Sequence, residues 1–271
     1  MQPTAEDPAS TRHEHGQVTT TVVDDHVLVI QVDRVEKRNA MTPKIMAELS
    51  AALTRLDDDE QLWVGVLTFA GEHTTAGLEM PLFFAPGADT TWRDPSMVDP
   101  FGLGRRLSRP LITAVQGICF TVGIEIALAG DIVIAAEGTR FCQLEPKRGI
   151  AAIGGATIRY VERAGWGNAM YHLLRADEFD AGESYRIGLV QEVVAAGTQI
   201  DRAIELAREM LACSPVALRA MISNARLATA AGQGAAIAAI EEMSRITRES
   251  ADFAEGIASF VERRPARFTG R

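Results

Sequence analysis

Long apolar runs are missing from this 271-residue sequence. No stretch approaches the roughly 18 apolar residues of a membrane-spanning helix, so no span is expected. Positive charge is also scarce: Lys and Arg number 27 against 36 Asp and Glu, a net charge of −9. That balance argues against a general affinity for nucleic acid and leaves only local phosphate recognition. Cysteine is rarer still. Cys119, Cys142 and Cys213 are odd in number, widely spaced and set among apolar residues, the pattern of reduced, buried thiols rather than a disulfide framework. There is no CxxC pair and the histidines are scattered, so no metal site is expected. Gly102-x-Gly104 lacks the third glycine of a dinucleotide loop. The first residues, MQPTAEDPASTRHEH, have no apolar signal-peptide core and read as a disordered tail on a cytoplasmic protein.

What remains is ordinary for a globular protein, 47% apolar and 23% charged. Residues 19–33 alternate and pause at Asp24-Asp25, the pattern of a hairpin with a tight turn. Thr42 offers an N-cap with Pro43 at the first helical position, and Ile45, Leu49, Leu53 and Leu56 repeat at helical spacing. Residues 62–70 read as a buried strand that runs into the loop GEHTTAGLEM (71–80). A loop over 81–102 with Phe83, Phe84, Trp92 and Phe101 is either a lid over a site or an insert against a neighbour. Residues 131–156 read as strand, turn, short strand and glycine-rich loop, with helical patterns at 155–165 and 166–175. Asp180 and Glu183 form a capping-box pair, and 188–194 is a last buried strand. Beyond it only amphipathic helices follow, at about 199–212, 214–230, 233–250 and 252–263. The expected organisation is a tail over 1–17, an α/β core over 18–198 and a helical region over 199–271 suited to oligomerisation.

One stretch organises the rest. LITAVQGICF (111–120) reads as a single buried strand, and the pattern breaks at Gly123 before Ile124 to Ala129 turn helical. Backbone N–H groups at such a junction have no intrahelical partner and carry the positive end of the helix dipole, so they can receive developing negative charge. Glu125 lies in the first turn of that helix. On local sequence alone it merely complements the dipole.

Four segments in order make the chain resemble the crotonase, or enoyl-CoA hydratase/isomerase, superfamily. EKRNAM (36–41) is similar to its early CoA-contacting loop and GEHTTAGLEM to its first oxyanion loop. GICFTVGIEIALAGDIVIAAEGTRFCQLEP (117–146) is similar to its second oxyanion segment with both carboxylate positions, and residues 250–271 to its closing helix. The resemblance implies a crotonase-like superhelix of ββα units with a C-terminal all-helical trimerisation region, assembling as a homotrimer or as a hexamer built from two trimers. It implies an acyl-CoA thioester substrate, coenzyme A being part of the substrate and no separate cofactor being needed. Carried over by position, the oxyanion donors are the backbone N–H groups of Ala76 and Val122, and the catalytic carboxylates are Glu125 and Glu145. Ala76, Gly77, Leu78, Glu79, Val122 and Gly123 line the thioester, and Lys37, Arg38 and Ala40 belong to the CoA-contacting loop.

The chemistry explains those residue types. Attack of water at C3 of a conjugated thioester places negative charge on the carbonyl oxygen, where two fixed N–H donors stabilise it. Paired carboxylates supply base and acid if their surroundings differ; Glu145 is expected to protonate C2 and Glu125 to orient the water. Two departures stand out: Thr121 and Val122 replace glycines of the second oxyanion segment, and Glu79 replaces a common aspartate. Hydration of a 2-trans-enoyl-CoA leads, while isomerisation of a 3-enoyl-CoA, other enolate chemistry, or an acyl-CoA-binding scaffold without activity stay open.

Overall fold

The computed structural model describes residues 14–88 and 92–271. Residues 1–13 of the expected tail, and 89–91 of the aromatic loop, lie outside the described residues. Strand β1 (Gln17–Val23) turns through Asp24 and Asp25, with φ of 50° and 61°, into antiparallel β2 (Val27–Asp33). Two successive left-handed residues match the twist of the strands they join, and aspartate tolerates that conformation. Helix α1 (Pro43–Asp58) starts where expected: the Thr42 hydroxyl accepts the Ile45 N–H, and Pro43 occupies the first turn, where a missing donor costs nothing. Strands β3 (Val64–Phe69), β4 (Leu111–Val115), β6 (Ile132–Ala136) and β9 (Glu192–Val194) continue the sheet in parallel, in the order β1-β2-β3-β4-β6-β9. A smaller sheet holds β5 (Ile118–Phe120), β7 (Arg140–Cys142) and β8 (Phe179–Asp180).

One turn of chain recurs: a strand in the large sheet, a short strand or bridge in a second layer, then a helix. β4, β5 and α3 (Val122–Ala129) form one such turn, and β6, β7 and α4 (Ala156–Arg175) the next. Before them come β3, the bridge Thr75↔Cys119 and α2 (Met80–Phe84), and earlier still β2, the bridge Met41↔Leu78 and α1. This is the ββα superhelix that the resemblance implies. Hydrophobic periodicity hides it, because two of the second-layer strands are reduced to single bridges. Alternation along the strands separates the two faces of the large sheet. Leu28, Ile30, Leu67 and Phe69 pack on Ile45 and Leu49 of α1. Val27, Val64, Val66 and Ile112 pack on Ala203 and Ala207 of a later helix, Gln199–Leu211.

Several boundaries differ from expectation. Residues 111–120 are two strands in two sheets, split at Gly117 with φ +55°; a Cβ there would lie 2.1 Å from the Glu72 carbonyl oxygen. Helix α3 starts at Val122 rather than Ile124. After α5 (Ala181–Arg186), Gly188 with φ +87° ends the helix and Leu189 and Val190 turn into the core, so the last strand contracts to β9. The capping box is half made: Asp180 accepts the Glu183 N–H at 2.8 Å, but the Glu183 carboxylate is taken by Arg186 and His172. The Gln199–Leu211 helix is α6 and packs on the large sheet as a layer of the core, with α7 (Pro215–Ala231), α8 (Gln233–Ala238), α9 (Ile240–Arg248) and α10 (Ala251–Glu262) following it. The segment expected as one helix over 233–250 is α8 and α9, separated at Ala239. Cys119 and Cys142 are buried free thiols, whereas Cys213, just past the end of α6, is exposed. Among the described residues, no helix is long and apolar enough to cross a membrane, and no three His, Cys, Asp or Glu cluster to hold a metal ion.

Candidate active site

The loop after β3 is fastened by a buried polar residue and a half-buried ion pair. Asn39 accepts the Arg34 N–H at 2.8 Å and donates to the carbonyls of Ala70 and His73 at 2.8 and 2.7 Å. Thr75 donates to the Asn39 carbonyl at 2.7 Å and accepts the Gly77 N–H at 3.0 Å. Two bonds of 2.9 Å, Met41 N–H to the Gly77 carbonyl and Glu79 N–H to the Met41 carbonyl, then form a parallel bridge. Bridge alternation turns the Leu78 N–H away from Met41. It has no acceptor among the described residues, and Leu78 lines a cavity of about 670 Å³. Ala76, expected as the oxyanion donor, is corrected here: its N–H donates to the Arg38 carbonyl at 3.0 Å, so the free donor on this loop belongs to Leu78.

Other expected binding residues also act from behind the wall. Glu79 turns to Arg34, 2.5 Å away and 3% exposed, and the same guanidinium donates to the Ala40 carbonyl at 3.0 Å. Glu79 thus anchors the loop instead of lining the cavity, and the Ala40 carbonyl is held by the same guanidinium. Lys37 and Arg38 are exposed on the 3-10 turn Val35–Lys37 and its cap, outside the cavity wall. His73 accepts the Ile118 N–H at 3.3 Å and serves the turn.

Across the cavity, Thr121 holds φ 49° and ψ −115°, a conformation suited to glycine. This corner ends β5, starts α3 and leaves the N–H groups of Val122 and Gly123 without acceptors among the described residues. Val122 lines the cavity, but its side chain is 2% exposed and sits in the core cluster with Phe101 and Ile126, so most of its bulk goes into the core. Gly123 is not in the wall. A Cβ there would lie 2.5 Å from the Thr75 methyl carbon, so the glycine lets α3 approach the first loop.

Glu125 and Glu145 both reach the same cavity, of about 670 Å³. Glu125 is 4% exposed, and its Oε1 accepts the N–H groups of Gly154 at 2.7 Å and Ala156 at 3.2 Å. Burial pushes its carboxyl up, opposed by those two donors and by the Arg159 charge. Arg159, buried in α4, donates to the Gly154 carbonyl at 3.2 Å and to the Phe101 carbonyl, which fixes the loop whose amide faces Glu125. Its guanidinium is itself lowered to about 10, by burial and by Arg106. Glu145 opens the 3-10 turn Glu145–Arg148 after β7, and its Oε2 is buried without a hydrogen-bond partner among the described residues. Burial, with the Glu125 charge adding to it, pushes the Glu145 carboxyl up to about 7. The supports supplied by Gly154, Ala156 and Arg159 are absent from the sequence reading. Gly154-Gly155 in the glycine-rich loop is their only visible signal: a Cβ on Gly154 would lie 2.3 Å from Glu125 Oε2.

A family model described as enoyl-CoA hydratase/isomerase matches residues 23–271. The chain is 30% identical over 250 residues to the enoyl-CoA hydratase EchA19 of Mycobacterium tuberculosis, covering 91% of this chain and 94% of that protein. It is 31% identical over 242 residues to the mevalonyl-coenzyme A hydratase sidH of Aspergillus fumigatus, covering 88% and 90%. Among solved structures, a probable enoyl-CoA hydratase/isomerase from Mycobacterium abscessus superposes with a TM-score of 0.89 at 41% identity, over 96% of this chain and 100% of that one.

Proposed function

This chain belongs to the enoyl-CoA hydratase/isomerase family, and on that premise we propose that it adds water to 2-trans-enoyl-CoA to give 3-hydroxyacyl-CoA. The observation that carries the reading is a single cavity holding two buried carboxylates, Glu125 and Glu145, and two residues with unengaged backbone donors, Leu78 and Val122. The thioester oxygen sits between those N–H groups. Each is worth about 2.7–4 kcal/mol when aimed at charge that develops in the transition state. Glu125, pinned by Gly154 and Ala156, orients a water and takes its proton as the oxygen bonds to C3. The electron pair moves through C2 onto the thioester oxygen. Glu145, raised to about 7, keeps its proton in about half of the molecules at neutral pH and in that form delivers it to C2 as the enolate collapses.

The test is direct. Mixed with crotonyl-CoA, the protein should remove the enoyl-thioester absorbance and produce 3-hydroxybutyryl-CoA. Conversion of a 3-enoyl-CoA without hydration would favour isomerisation, which needs the same oxyanion donors and only one base; binding of acyl-CoA with no turnover would favour a scaffold. The proposal extends to assembly as a homotrimer or a pair of trimers. Apolar side chains stand exposed on the outer helices, among them Met221, Ile237, Ile257 and Phe260, and supply a contact face that light scattering would report as a threefold or sixfold mass.

A further inference from the structure

A second cavity, of about 230 Å³, lies behind one wall of the first. Trp92, Arg93, Phe101 and Ile153 line both, so the partition between the two is a single layer of side chains. Its centre is Trp92. The indole stands edge-on to Phe83 at 6.0 Å and to Phe101 at 6.4 Å between ring centroids. The Arg93 guanidinium lies over it at 4.6 Å. These contacts hold the ring in place between the two cavities.

Apart from Arg93, which is exposed and stacks on the indole, the polar side chains around the second cavity are already satisfied from within. Ser50 donates to the Val98 carbonyl, Asp94 accepts from Ser96, and Arg105 is paired with Asp57 and Asp58. Asp99 accepts the N–H groups of Phe101, Leu103 and Gly104. What such a cavity offers an occupant is therefore its apolar surface, from Met97, Pro100 and Leu103 beyond the indole. An alkyl terminus asks for no polar partner and fits that lining.

We propose that Trp92 sets the acyl-length limit of this site: the substrate's aliphatic tail ends against the indole, and the cavity behind it is a distal acyl subsite that opens when the indole is removed. The proposal rests on the acyl-CoA reading above and not on which enolate reaction follows. Binding of saturated butyryl-CoA and lauroyl-CoA, measured by calorimetry on the full chain, tests it independently of turnover. Trp92→Ala should raise the lauroyl-to-butyryl affinity ratio about tenfold or more, since each newly buried methylene is worth about fourfold. Trp92→Leu, which keeps apolar bulk against Phe83 and Phe101, should shift the ratio in the same direction by less, and covers a failure of the alanine variant to fold. Adding Met97→Phe to either variant refills the second cavity and should remove most of the gain. An unchanged ratio in the folded Trp92 variants, or a gain that survives Met97→Phe, overturns the proposal. Wild-type protein that binds both thioesters but turns over no enoyl-CoA would sink hydration and leave the partition standing, whereas protein that binds neither sinks both.

Discussion

Glu125 and Glu145 face one cavity from opposite kinds of support. The first stands on a regular helix, with two backbone N–H groups on one oxygen and a buried arginine behind the loop that supplies them. The second stands on one turn of 3-10 helix, with a buried oxygen that has no partner among the described residues. Both carboxyls are raised by burial. Glu125 has two donors from another loop that favour its charged form, whereas Glu145 has only its own backbone N–H and is pushed further up by the Glu125 charge. Two chemically identical side chains are thereby divided into a proposed base and a proposed acid by what holds them.

The largest way to break this contrast is to remove either charge. Glu125→Gln and Glu145→Gln should each lower crotonyl-CoA hydration by about 10²–10⁴-fold, while butyryl-CoA still binds in calorimetry. Unchanged turnover in either variant removes that carboxylate from the mechanism. The same pair should separate in stability. A carboxyl whose folded pKa lies above its unfolded value favours the fold at low pH, and that benefit is lost as pH rises through about 7 for Glu145. Urea unfolding should therefore find Glu145→Gln more stable than wild type by roughly 3 kcal/mol near pH 9 and little changed near pH 5. Equal differences at both pH values would mean the carboxyl titrates normally.

Gly154→Ala sharpens the Glu125 side. The added methyl falls 2.3 Å from Oε2, so the carboxylate or the loop must move. Turnover should fall on the order of 10²-fold with acyl-CoA affinity nearly kept. A wild-type rate would show that the loop takes up the methyl without displacing the Glu125 carboxylate, and that its tight seating is dispensable. The smallest effect concerns the corner before α3. Thr121→Gly relieves a backbone conformation worth about 1–3 kcal/mol of strain against a smaller entropy loss, so thermal unfolding should show a gain of about 1 kcal/mol. A loss there would mean that the Thr121 side chain contributes more than its backbone costs.

Much of this was legible in the sequence because it is local. The Asp24-Asp25 turn and the Thr42-Pro43 helix start depend on residues within one turn, and both are where the sequence puts them. The spacing of Glu125 and Glu145 was readable through the resemblance, and both reach one cavity. What was not readable depends on partners distant in sequence. Ala76 is the expected donor until the Arg38 carbonyl takes its N–H and the bridge to Met41 turns the Leu78 N–H outward instead. Gly117 looked like an interior strand residue because its reason, the Glu72 carbonyl beneath it, belongs to another loop. Gly154 marked a glycine-rich loop without showing that its amide reaches Glu125, twenty-nine residues earlier.

The pH dependence of kcat/KM for crotonyl-CoA hydration tests the division of roles most directly. If Glu145 donates the proton to C2, activity should fall as pH rises through an apparent pKa near 7, the pair titrating together. That alkaline limb should vanish from the residual rate of Glu145→Gln. A wild-type rate that stays flat through pH 9 would contradict the account.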